Sequence, residues 1–161
     1  MKLKLLVAAS AALLLAAPAL AQVMTPTEYV KTAAASDLFE RTSAQAVLET
    51  TTDANVRSFA TMMLSAHSES SAMVKTAAMK AKVMAPPPML TPLQAEMIAQ
   101  LKAETGAVRD ADYIAQQKAA HGQALAVQQA YAGGGTSAPL KMAAGKIVPV
   151  VKHHIQMLMM M

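Results

Sequence analysis

Beyond residue 22, apolar side chains return every three or four positions along the chain, and clusters of proline, glycine and threonine interrupt the pattern. That spacing is the period of an amphipathic helix, not the two-residue alternation of a strand. The first helix is predicted from Thr25-Pro26-Thr27-Glu28. Thr25 suits a cap, Pro26 the first helical position and Glu28 the third, and the helix then runs to about residue 50. Asp53 can cap a second helix reaching about residue 83, with Val56, Phe59, Ala60, Met63, Met73, Val74 and Ala77 on one face. Pro86-Pro87-Pro88 marks an extended connection. Thr91-Pro92-Leu93-Gln94 repeats the first cap and opens a shorter helix to about residue 105, with Gly106 as its terminator. A further helix is expected from about Asp110 to about residue 132, where Gly133-Gly134-Gly135 ends it. The last begins near Ser137 or Ala138, and Pro149 should kink or divide it.

Helices of about 25 residues are about 38 Å long. Packing four of them antiparallel is the simplest way to bury one stripe on each. The predicted fold is therefore all-α: an antiparallel four-helix bundle with an additional short or kinked helix, formed by residues 22–161. No Gly-rich phosphate loop competes with this reading. The glycine triplet follows a helix rather than linking strand to helix, and so reads as a turn.

The first 21 residues read differently. Lys2 and Lys4 precede an uncharged apolar run from Leu5 to Leu20, which ends in Pro18-Ala19-Leu20-Ala21. This is the pattern of a secretory signal peptide, with cleavage expected after Ala21 and a periplasmic or secreted destination. The run is short for a membrane span, and no second one follows, so no stable membrane span is expected after cleavage. Two of the 14 basic residues and none of the ten acidic ones fall before the cut, leaving a mature net charge of +2. That charge is too small and dispersed to imply a nucleic-acid partner. The absence of cysteine excludes a disulfide scaffold, a thiolate metal site and a Cys nucleophile. With no Trp and three Tyr, stacking surfaces for bases or sugars are few.

The candidate chemistry lies on the buried stripes. His67 follows Phe59 and Met63 at helical spacing, His121 lies between Ile114 and Leu125, and His154 lies among Ile147, Val150, Val151, Met157, Leu158 and Met161. Glu40 shares a face with Ala33, Ala44 and Val47. Each of the four helices thus carries one ionisable residue inward. Glu40, His67 and His121 lie about 11–15 residues into their helices, which places them roughly 16–22 Å from a bundle end, near mid-height. Buried charges need partners or a metal. One carboxylate and three imidazoles suit iron, zinc or copper. The same four residues also suit a hydrogen-bond network that fixes helix register without a cofactor. His153 is less clearly inward than His154. The 14 methionines raise a separate idea. In the tail, His153, Met157 and Met160 combine imidazole with thioether, a set that suits Cu(I); alternatively, Met fills irregular core gaps and the last residues fray. Asp110 and Asp112 read as carboxylates favoured near a helix start. Ser65, Ser68, Ser70 and Ser71 surround His67 without any readable Ser-His-Asp arrangement, so no catalytic residue is assigned.

These residues carry a resemblance. Phe39-Glu40, Val56-Arg57-Ser58-Phe59-Ala60, Met63 and His67, followed by Gly106-Ala107, Asp110, Tyr113, His121, Pro149 and His154-Ile155, resemble in order and spacing the bacterial exported family called domain of unknown function 4142. The resemblance covers about 120 residues. It implies a ferritin-like four-helix bundle, exported, with no established activity, and it selects His154 over His153 as the family histidine. There are departures. Ala66 and Ala120 stand where the family usually has Asp before a histidine, and Arg109 stands where it usually has an aromatic residue. The di-iron signature of true ferritins, Glu three residues before His, is absent, since Leu64 and Lys118 hold those positions. The fold name therefore does not transfer ferroxidase activity.

Overall fold

A computed structural model describes residues 24–161, so the expected signal segment and the cleavage expected after Ala21 lie outside the described residues. Five helices follow in order: α1 Pro26–Leu48, α2 Ala54–Lys80, α3 Pro92–Ala103, α4 Gly106–Gly134 and α5 Ala138–Leu158. Among the described residues there is no strand, and no helix is long and apolar enough to cross a membrane. The starts follow the local chemistry. Thr25 and Thr91 each form a full capping box, with Glu28 and Gln94 reaching back to the cap nitrogen. The Asp53 carboxylate accepts from the Asn55 and Val56 amides. Each cap satisfies amides that have no partner inside the helix.

One boundary differs from expectation. Gly106 does not terminate α3; it takes φ +59 and opens α4, four residues ahead of Asp110. α3 ends at Ala103, and Glu104 and Thr105 are extended. Arg109 explains why the chain turns there. Its guanidinium donates to the Glu104 carbonyl, to the Ala46 carbonyl at 2.9 Å and to Thr50 Oγ1 at 2.8 Å. A cation thus satisfies the carbonyl end of α1, where the helix dipole favours it. Asp110 is buried as well, and accepts from Thr51 Oγ1 at 2.8 Å.

Tyr29 stacks on Tyr131 with centroids 4.0 Å apart at one end of the molecule, while Arg109 meets Ala46 at the other, so α1 and α4 run antiparallel. α1 packs against α2 and α4, and α5 against the same two, giving a four-membered ring of helices. The short connections pair α1 with α2 and α4 with α5. Residues 81–91 and α3 make one long crossover between the pairs, the connectivity found in ferritin-like bundles. α3 packs outside the ring on α1 and, less extensively, on α4.

Pro149 does not divide α5, which continues through it. Gly145, four residues earlier, carries the carbonyl left without a donor, and both residues face solvent, where water can satisfy it.

The core is split. One apolar layer gathers Tyr29, Val30, Val74, Tyr131, Leu140 and Ile147, among others, and a second gathers Val47, Phe59, Met63, Leu101, Tyr113 and Leu158. The helical positions between the layers are filled by buried polar side chains: Asp37, Glu40, Ser43, His67, Gln117, His121 and His154.

Candidate metal centre

Every helix of the ring contributes to this polar layer. His67 comes from α2, His121 from α4 and His154 from α5, and all three are buried. Each offers a ring nitrogen, and these three atoms lie within 4.8 Å of one another. Ring centroids are separated by 5.7 Å for His67–His121, 5.9 Å for His67–His154 and 5.3 Å for His121–His154. Phe59 lies beside the cluster, tilted at 6.3 Å from His121 and edge-on at 6.5 Å from His154.

The hydrogen bonds assign the nitrogens. His121 Nδ1 is 3.0 Å from the Gln117 carbonyl, which can only accept, so Nδ1 carries the proton and Nε2 is a bare lone pair. That Nε2 stands 3.2 Å from His154 Nδ1. His67 Nδ1 donates to Asp37 Oδ1 at 2.8 Å, and its Nε2 has no partner. Asp37 is itself held in place, because Ser71 donates to its Oδ2 at 3.0 Å and Arg41 donates to Ser71 at 2.9 Å. A carboxylate or carbonyl behind one ring nitrogen, with the other left free, is the arrangement that orients metal-ligating histidines.

Glu40 is adjacent to the three rings but is not one of the group. It is 1% exposed, and neither carboxylate oxygen has a hydrogen-bond partner. Its Oε1 is 3.6 Å from His121 Nδ1, the nitrogen already bonded to Gln117 rather than the one facing His154. The Gln117 amide nitrogen lies close by but donates to Ser43 Oγ at 3.2 Å. Of the four residues expected to converge, three histidines do, and the carboxylate stands on the far edge of one of them. His153 is exposed, as its less clearly inward position suggested. Met157 packs against the second apolar layer, and Met160 is 86% exposed.

Electrostatics follow from this burial. Desolvation pushes the Glu40 carboxyl up to about 7, against the opposing pull of His67 and the neighbouring Gln117 amide. Burial lowers His121 to about 3, helped by the charges of His67 and His154, and lowers His154 to about 4, helped by His67 and His153. Burial acts downward on His67 too, but the Asp37 hydrogen bond and the Glu40 and Asp37 charges outweigh it and raise its pKa. His121 and His154 are thus neutral at pH 7, with lone pairs available at no deprotonation cost.

Asp37 escaped the sequence reading. It sits four residues after Ala33 and three before Glu40, on the same inward stripe, so the periodicity that selected Glu40 also pointed to Asp37. Buried Gln117, one turn before His121, carries a comparable signal.

A family model, Domain of unknown function (DUF4142), matches residues 9–161. The chain belongs to DUF4142. No curated protein matches this DUF4142 chain. Among solved structures it is similar to a DUF305 fragment from Deinococcus radiodurans, with 16% identity and TM-score 0.71 over 83% of this chain and 91% of that one. It is also similar to a DUF305 protein from Streptomyces coelicolor, with 13% identity and TM-score 0.67 over 83% of this chain and 88% of that one. At these identities the likeness is one of fold.

Proposed function

We propose that this protein binds a first-row transition metal ion (Fe, Zn or Cu) in the polar layer and serves as a metal-binding or metal-buffering protein of the cell envelope. The observation that carries the reading is the convergence of three buried imidazoles from three helices, with ring nitrogens within 4.8 Å. Imidazole suits these ions, and the two or three nitrogens of a tetrahedral site stand about 3.3 Å apart when bonds are about 2.0–2.1 Å long. The 3.2 Å separation of His121 Nε2 and His154 Nδ1 is close to that value. Orphaned buried polar atoms ask for an explanation such as an ion or water, and here they are His67 Nε2 and both Glu40 oxygens. His67, His121 and His154 are the proposed ligands. Glu40 supplies the compensating negative charge, and by a change of rotamer a fourth ligand. Export rests on the signal-like segment at residues 1–21.

A second reading has its own support. The His121–His154 contact is also a good hydrogen bond, and the Asp37–His67 pair is complete without an ion. On this reading the layer is a register-fixing network in a structural or interaction protein. The test incubates purified mature protein with Fe, Zn and Cu in turn, followed by desalting and elemental analysis. Metal binding predicts near-stoichiometric retention of one of them and its loss in the His67→Ala/His121→Ala double variant. Retention of none by the wild type, with only melting temperature altered in the variant, selects the network.

A further inference from the structure

Nine large apolar side chains are exposed among the described residues, and six are methionine: Met79, Met84, Met89, Met142, Met159 and Met160, at 63–92% exposure. A methionine in a core is explained by its adaptable shape, and Met63, at 0% exposure, fills that role. The six exposed ones pack against little, so shape does not account for them. What separates them from leucine is the thioether.

The rest of the chain sharpens this contrast. It has no cysteine and no tryptophan, and its three tyrosines are at most 1% exposed. The readily oxidised groups in contact with solvent are therefore the methionine sulfurs. Their placement also matters. Met79 lies in the last turn of α2 beside Ala78, and Met142 early in α5 beside Ala143, both neighbours belonging to the first apolar layer. Met84 and Met89 flank the triple proline that follows α2. Met159 and Met160 lie just past Leu158, in the second layer at the opposite end. Met79, Met142, Met159 and Met160 thus lie toward the two ends of the ring, while Met84 and Met89 lie on the crossover along its side. Sulfoxide formation is disruptive in a core because it makes an apolar side chain polar, but these six are already in water.

We propose that the six exposed methionines are a site of reversible sulfoxidation through which the protein consumes two-electron oxidants while its bundle stays folded. In each turnover the thioether sulfur gives up two electrons and gains one oxygen atom, and hydrogen peroxide is reduced to water or hypochlorous acid to chloride and a proton. A dithiol-dependent methionine sulfoxide reductase returns the sulfur to thioether, releasing the oxygen as water as its own thiols form a disulfide. The proposal does not depend on whether the histidine layer holds a metal.

The test titrates metal-free mature protein with hypochlorous acid and follows oxygen uptake by intact mass and peptide mapping. The expected result is a fast phase of six oxygen atoms, at the six named residues, with a melting temperature within about 3 °C of the untreated protein. The half-buried methionines follow more slowly, and Met63 reacts last. Reductases for both sulfoxide epimers then remove the six oxygens from the folded protein. A variant with all six replaced by leucine should fold and lack the fast phase. Reaction of Met63 as fast as the six, unfolding within the fast phase, or failure of the reductases on folded protein would each overturn the proposal.

Discussion

Replacing Glu40 by glutamine removes a buried charge while keeping the shape. Neither carboxylate oxygen has a hydrogen-bond partner, so the amide forfeits none. In the unfolded chain this carboxyl titrates at 4.5, and in the fold at about 7. Below 4.5 both states hold the proton and the position costs nothing electrostatically. Between the two values folding must take up a proton, so wild-type stability falls as pH rises, by about 1.4 kcal/mol per pH unit. Above about 7 the penalty is complete, on the order of 3 kcal/mol. In a metal chelator, Glu40→Gln should therefore stabilise the protein by under about 1 kcal/mol at pH 5 and by about 3 kcal/mol at pH 8, or roughly 10 °C in melting temperature. His121 and His154 add a background shared by both proteins, whereas His67 loses in the variant one of the charges that raise its pKa. With pKa values lowered to about 3 and 4, His121 and His154 contribute stability that is present above 6.5 and lost as pH falls through those values. Urea melts of both proteins at the two pH values read the difference directly. With a bound cation the sign should reverse, because the ion needs the carboxylate that the metal-free core disfavours. An equal effect at pH 5 and pH 8 in chelator would refute the claim that an unpaired, water-excluded carboxylate sits in this layer.

Other substitutions probe the surroundings. Asp37→Asn removes the main group holding the His67 pKa up, so that pKa should fall in an NMR titration, with a stability loss of about 1.5–3 kcal/mol for the charge-assisted bond. Phe59→Ala, at a residue 1% exposed and packed beside two of the histidines, should cost about 3–5 kcal/mol by urea denaturation. Arg109→Ala strips donors from the Ala46 and Glu104 carbonyls and should cost about 1.5–3 kcal/mol. Hydrogen exchange should quicken at the C-terminal end of α1 in that variant, and unchanged exchange there would disprove the anchoring role. Gly106→Ala, at φ +59, should cost about 1 kcal/mol in a thermal melt.

Local chemistry made much of this molecule readable from the chain. The capping boxes at Thr25 and Thr91 and the cap at Asp53 involve residues two or three apart, so these three helix starts needed no tertiary information. A 3.6-residue period projects onto one face, so an inward His67, His121 and His154 is the expectation that spacing alone supports. The boundary at Gly106 was not legible in this way. Its left-handed turn is held by Arg109 reaching Ala46 in α1 and Thr50 just beyond it, about 60 positions earlier, contacts with no local signature. Asp37 was visible as a stripe position, but its pairing with His67 depends on how α1 lies against α2. Glu40 shows the same division most clearly. Periodicity buried it at the right height, yet only the rotation of α1 against α4 put it behind His121, on the Nδ1 side, instead of among the three rings. Helix identity and inward faces follow from short-range spacing, which the amino-acid sequence encodes directly. Which buried polar atoms meet depends on ångström-scale rotations and offsets between helices, and those are decided by the packing of the whole bundle.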